Sequence, residues 1–141
     1  MNECERKMGE AAQPARSSRA EQALALLVPA FYARVRADAL LGPVFDKAIS
    51  DWGHHVGRLV DFWSSVMLAS GRYKGQPMAA HTRHRETITP EMFDRWLALW
   101  CEVTDEILPR EAAEAMQLKA VNIAESLKLG LYFRLPKPTT Q

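Results

Sequence analysis

Several features that would point directly to a function are scarce or missing in this sequence. It contains only two cysteines, Cys4 and Cys101, so we expect no disulfide framework, and it contains no paired-cysteine zinc motif. The formal net charge is only +1. Basic and acidic residues are interspersed, so the chain lacks the basic field of a nucleic-acid-binding protein. There is also no Gly-rich phosphate loop, internal repeat or strand-like alternation.

Long hydrophobic runs are missing as well. The longest apolar stretch, residues 23–31, is about nine residues long, which is too short to span a bilayer. Tyr32 and Val35 continue its pattern, which argues against a signal peptide. We therefore expect a cytoplasmic protein without a membrane or nucleic-acid partner. The mixed surface charge predicts a monomer or a weak dimer.

The composition is that of one globular domain with a sizeable core. The 141 residues are 48% hydrophobic and 25% charged. Residues 1–18 lack an apolar period and are predicted to form a flexible arm. Residues 19–133 are predicted to form the domain, and residues 134–141, with two prolines, a loose tail.

Apolar residues recur at spacings of three and four along the domain, which predicts an all-α fold. Helices are predicted from about residue 19, at 52–69, from Pro77, from Pro90 and at 110–131. Pro29 predicts a break or the start of a second helix, and residues 41–45 predict a turn.

The most informative motif is Tyr73-x-Gly75-x-Pro77 followed by His81. It places an imidazole just inside a short helix behind a sharp turn, as in proteins that present an axial ligand to haem iron. Upstream, His55 opens a helix whose apolar residues repeat at helical spacing. These residues are Leu59, Phe62, Trp63 and Val66. Two helices, two imidazoles and an apolar stripe predict a haem site.

Alternative interpretations remain open on the residues alone. His84 lies one turn after His81 and is the rival iron ligand. The four histidines are also compatible with zinc, although neither cysteine is placed to complete such a site. A cofactor-free helical interaction or sensor module is the third possibility. Trp96 and Trp100, four residues apart, are by default part of a core stripe.

Taken in order, the landmarks resemble one family. They are Phe31-Tyr32, Leu41-Gly42-Pro43-Val44-Phe45, Trp52 with His55, Phe62-Trp63, Tyr73 to His81, and Phe93 with Trp96. Over residues 20–131 the chain resembles the group III truncated haemoglobins. The resemblance implies a two-over-two helical sandwich around haem b. Trp100 stands where relatives are expected to carry Phe.

The resemblance also implies roles for individual residues. His81 would be the proximal iron ligand, and Tyr32, His55 and Trp96 would act on the bound ligand from the distal side. The cofactor would contact Phe45, Leu59, Phe62, Trp63, Met78, His81, Phe93 and Trp96. Apart from the resemblance, Arg83 and Arg85 lie just past His81 and are candidates to pair with a haem propionate, and a solvated surface position is the equal alternative for either.

The function implied is reversible binding of O2, NO, CO or another small ligand. Three donors around the ligand would slow oxygen release, which favours chemistry on the bound ligand over bulk transport. Oxidation of nitric oxide to nitrate and activation of peroxide are the two reactions considered. Either reaction would need an external reductase or electron donor.

Overall fold

Within the residues described by the computed structural model, every regular element is an α-helix. The model describes the backbone of residues 3–133 and the side chains of residues 19–133. The helices are α1 (Glu3–Ala37), α2 (Gly42–Ala48), α3 (Trp52–Leu68), α4 (Pro77–Thr82), α5 (Pro90–Ile107) and α6 (Arg110–Tyr132). The predicted all-α class is confirmed. The predicted tail at 134–141 lies outside the described residues, and the flexibility of residues 1–18 stays a prediction.

Two local predictions in the first third of the chain were wrong. Pro29 does not break α1, which continues from Glu3 to Ala37. A proline inside a helix costs about 3 kcal/mol, but Leu27, Val28 and Phe31 around it are fully buried, and this packing outweighs the penalty. Residues 42–45, predicted as part of a turn, instead form the first turn of α2, which contains Pro43, and the chain turns at residues 39–41.

Asp38 organises the corner between α1 and α2. Its carboxylate accepts hydrogen bonds from the backbone N–H groups of Leu40 and Leu41 and pairs with Arg95 of α5 at 2.8 Å. Burial by itself raises the pKa of Asp38, but the bonds from Arg95 and the two N–H groups outweigh it and leave that pKa below its usual value. At the same corner a Cβ on Gly42 would lie 2.5 Å from the carbonyl oxygen of Arg36, so the close approach requires glycine.

The helices that carry the site begin at the residues expected from local sequence. The Asp51 side chain accepts the N–H of His54 at 3.1 Å and caps α3. The Thr89 side chain caps α5 in the same way by accepting the N–H of Met92. Pro77 and Pro90 occupy the first positions of α4 and α5, where a missing N–H costs nothing.

The core is formed where α1 packs against α3 and α5, and where α5 packs against α6. Its largest fully buried side chains are Trp63, Trp100 and Phe31. Thr104 and Gln117 hold α5 to α6, because the Gln117 amide donates to the Thr104 hydroxyl at 2.9 Å. No helix in the described part of the chain is long and apolar enough to cross a membrane.

Candidate functional site

A cavity of about 650 Å³ lies inside the helical framework and receives side chains from all six helices. Its volume is in the range of small-molecule and cofactor sites, and its walls are mostly apolar and aromatic. Among the residues predicted to form the haem site, the cavity brings together Tyr32, Phe45, His55, Leu59, Phe62, Trp63, His81, Phe93 and Trp96. Residues far apart in sequence therefore meet around one space, with a few polar groups among them.

Met78 is the predicted haem-contact residue that the structure does not bring to this cavity. Its thioether packs against Gly130 of α6, where a Cβ would collide with the sulfur and the terminal methyl group. The absent side chain leaves a gap that a flexible methionine can fill. The contact with haem expected for Met78 therefore stays a prediction.

His81 is held in one orientation by its own helix. Its Nδ1 lies 2.7 Å from the carbonyl oxygen of Pro77, one turn earlier in α4. A carbonyl can only accept a hydrogen bond, so Nδ1 carries a proton, and in the neutral imidazole Nε2 then keeps a free lone pair. An imidazole that ligates a metal needs this tautomer, with the other ring nitrogen bonded to a carbonyl or carboxylate.

His84 also lines the cavity, so proximity alone does not exclude it as a ligand. It lies in the turn that follows α4, where its backbone N–H donates to the carbonyl of His81 at 3.0 Å. The difference between the two residues is the side-chain bond from His81 to Pro77, which fixes the ring and its tautomer. His81 is therefore the better placed of the two imidazoles.

Tyr32 and Trp96 form a coupled pair of polar groups in the cavity wall. Tyr32 is only 4% exposed, and burial raises the pKa of its phenol to about 12. A hydrogen bond from the indole of Trp96 acts in the opposite direction and lowers that pKa. The phenol therefore remains protonated at neutral pH, and it has a proton to donate into the cavity.

His55 faces Tyr32 from α3, with the two ring centroids 6.1 Å apart and the rings nearly perpendicular. Burial lowers the pKa of His55, and the electrostatic influence of Arg58, His54 and His81 lowers it further. The imidazole is therefore neutral at neutral pH and has one nitrogen available as a proton acceptor.

An aromatic wall stands behind these polar groups. Tyr32 contacts Phe45 of α2, and Phe45 in turn stacks on Trp52 at 6.2 Å between centroids. The guanidinium of Arg36 lies 4.5 Å from the Trp52 ring and covers its outer side. These rings make this side of the cavity apolar.

Arg58 is a cavity residue that sequence reasoning missed. It lies three residues after His55, hence on a neighbouring part of the same face of α3, and this spacing was the available signal. Its guanidinium carbon lies 5.7 Å from the centre of the Tyr73 ring. Both side chains crowd the backbone at Gly75, where a Cβ would collide with the Tyr73 hydroxyl and the guanidinium. The glycine of the sequence motif is thus required by close packing.

Two other arginines were candidates from the sequence for pairing with a propionate, and the fold brings only one of them to the cavity. Arg83 lines the cavity and Arg85 does not. Together with Arg58, the Arg83 side chain gives the cavity two guanidinium groups. Planar guanidiniums are the side chains best suited to bind carboxylates.

The loop between α3 and α4 is tied down by charged groups. Arg72 pairs with Glu21 of α1 and with Asp61 of α3, the latter at 3.1 Å. One turn after Asp61, the Ser65 hydroxyl accepts the backbone N–H of Tyr73 at 2.9 Å. These contacts hold the segment that carries Tyr73 and Gly75 against the edge of the cavity.

The described residues contain no group of three or more His, Cys, Asp or Glu side chains that could hold a metal ion. The zinc interpretation therefore gains no support from this part of the chain. The residues around the cavity fit a haem group instead. They offer an oriented imidazole, apolar and aromatic walls, and guanidiniums that suit its carboxylates.

Comparisons with known proteins agree with this geometry. The chain is 31% identical over 116 residues to the group 3 truncated hemoglobin ctb of Campylobacter jejuni, covering 79% of this chain and 91% of the relative. The crystal structure of the group III truncated hemoglobin from Campylobacter jejuni matches with a TM-score of 0.73 and 32% identity. That match covers 80% of this chain and 91% of the solved one. No family model matches the chain.

Proposed function

This chain belongs to the group III truncated haemoglobin family, and from that premise we propose that it binds one haem b through His81 and acts on a small ligand of the iron. The observation that carries the proposal is the bond from His81 Nδ1 to the Pro77 carbonyl. It leaves Nε2 of the neutral ring with a free lone pair, and Tyr32, His55 and Trp96 line the same cavity as His81. Arg58 and Arg83 are the proposed partners of the two propionates.

Bound haem supplies the iron that binds the small ligand and exchanges electrons with it. The protein determines the environment of that ligand. A small ligand held in the cavity would gain negative charge as electrons are supplied to it, and a buried O–H or indole N–H would stabilise that charge. Tyr32, held protonated by its raised pKa, is the proposed first donor, and Trp96 is the second. Such donors slow oxygen release and favour reaction over transport.

The neutral state of His55 supports peroxide activation as the reaction. A general base must be deprotonated at the working pH, and burial keeps His55 in that form. It would take a proton from one peroxide oxygen and return it to the departing oxygen. An external electron donor would complete the cycle.

Oxidation of nitric oxide to nitrate is the second proposed reaction. It is favoured by the Tyr32 and Trp96 pair, which would retain oxygen long enough for nitric oxide to arrive. Mixing the oxygenated protein with nitric oxide and measuring nitrate tests this reaction. Mixing the ferric protein with hydrogen peroxide and a phenolic donor tests peroxide activation.

The experiment that tests cofactor binding is an absorption spectrum of protein produced with haem available. It is recorded as purified, after dithionite and after carbon monoxide. We expect a Soret band that shifts on reduction and again with carbon monoxide. A folded protein without a Soret band after haem addition would contradict the proposal and favour a cofactor-free helical module.

A further inference from the structure

Three indole rings form a continuous stack beside the cavity. The rings of Trp96 and Trp100 lie at 4° to one another with centroids 5.9 Å apart. Trp100 and Trp63 lie at 15° with centroids 4.5 Å apart. Trp63 and Trp96 both line the cavity, and Trp100 connects them from behind. An occupant that fills the cavity therefore lies next to both ends of the stack.

The surroundings of Trp100 suit a positive charge on its ring. Its two neighbours in the stack present π faces, which attract a cation. Its Nε1–H donates to the carbonyl oxygen of Met116 at 3.1 Å, so the negative end of a peptide dipole points to the indole nitrogen. Phe31 packs against the same ring at 4.8 Å. The carbonyl stabilises the N–H but is too weak a base to remove its proton.

We propose that the stack of Trp63, Trp100 and Trp96 donates one electron when hydrogen peroxide is reduced in the cavity, and that it holds the resulting charge as an indole radical cation centred on Trp100. This inference rests on the proposed function, because the reaction requires bound haem. The charge stays on the protonated ring because Trp100 is fully buried and its N–H bonds to a carbonyl. Partly exposed rings would instead lose the proton to water.

The electrons and atoms of the step balance. Reduction of hydrogen peroxide breaks the O–O bond, takes up two electrons and two protons, and forms two water molecules. One electron comes from the indole stack and the other is the one that bound haem supplies. The protons come from solvent by way of His55. One phenolic donor then returns an electron to the stack, a second returns the electron that haem supplied, and each releases its own proton to solvent.

The test is freeze-quench electron paramagnetic resonance of the haem-loaded protein after mixing with hydrogen peroxide. The wild type is prepared with ordinary and with ring-deuterated tryptophan. We expect a radical signal whose hyperfine lines narrow on deuteration, which identifies an indole. Because labelling leaves the fold unchanged, this measurement does not depend on the stability of any variant.

Two substitutions then locate the radical. Trp100→Phe removes the central indole and keeps an aromatic ring in the core, and we expect it to abolish the tryptophan signal. Trp52→Phe is the matched control. Trp52 also stands near the site, stacked on Phe45 and outside the indole stack, so its replacement is expected to leave the signal intact.

Three results would overturn the inference. They are a signal insensitive to tryptophan deuteration, a signal that survives Trp100→Phe, and equal loss of the signal in Trp52→Phe. Each can occur in a protein with a normal Soret band, and only the role of the stack would then be refuted. Absence of the Soret band would refute the haem proposal and this inference together.

Discussion

Replacing Tyr32 with Phe should speed the dissociation of oxygen by about tenfold. The change removes a single oxygen atom from a side chain that is 4% exposed, while its ring keeps its contacts with Phe31 and Phe45. The loss is therefore that of a hydrogen-bond donor. A hydrogen bond to a charged group contributes about 1.5–3 kcal/mol, and 1.4 kcal/mol corresponds to a factor of ten.

For Tyr32→Phe alone, the structure predicts a loss of hydrogen-bond free energy at the lower end of that range. The Trp96 indole is bonded to the Tyr32 phenol, so removing the hydroxyl frees the indole N–H to bond the ligand itself. Trp96→Phe alone leaves the Tyr32 donor in place and should have a smaller effect. The double variant loses both donors, and we expect about 3 kcal/mol, or on the order of a hundredfold.

The assay is stopped-flow displacement of oxygen by carbon monoxide from the reduced protein, applied to the wild type, both single variants and the double variant. The expected signature is a double variant whose off-rate exceeds the product of the two single effects. An unchanged off-rate in Tyr32→Phe would remove Tyr32 from the ligand site. If the two single effects on the off-rate simply multiply in the double variant, Trp96 does not replace Tyr32 as the donor in Tyr32→Phe, and the proposal is contradicted.

Three further predictions concern the ligand and the framework. His81→Gly should abolish the Soret band unless imidazole is added, whereas His84→Gly should retain it; the opposite pattern would reverse the ligand assignment. The pKa of Asp38 is lowered in the fold, so its stabilising contribution is present above the usual value of 3.8 and is lost as pH falls through the lower folded value. Denaturant unfolding should therefore show the stability gap between wild type and Asp38→Asn closing below pH 3.8, and a constant gap would refute this. Gly42→Ala should destabilise by about 1–3 kcal/mol, because its Cβ meets a backbone carbonyl. Gly57→Ala, exposed inside α3 with nothing within 4 Å, should stabilise by about 0.5–1 kcal/mol, and equal effects of the two changes would contradict the packing argument.

Features with short-range causes were predictable from the sequence. The starts of α4 and α5 follow from Pro77 and Pro90, because a proline at the first helical position loses no hydrogen bond. The all-α class follows from apolar spacing, which reports the face that each helix buries. The position of His81 just inside α4 follows from the same local signals, and its neighbour Pro77 supplies the carbonyl that orients it.

The remaining features depended on which helix faces meet, and that is decided by packing between residues distant in sequence. Pro29 stays within α1 because the residues around it are buried against other helices. Met78 contacts α6 because Gly130 leaves room for it there, and Arg58 reaches the cavity because the following loop folds back against α3. The sequence alone thus determined the all-α class, the starts of α3, α4 and α5, and nine of the residues that line the cavity. Only the tertiary structure decided that Tyr32 and Trp96 form a pair and that three indoles stack, because helix crossings depend on the shapes of all the packed side chains together.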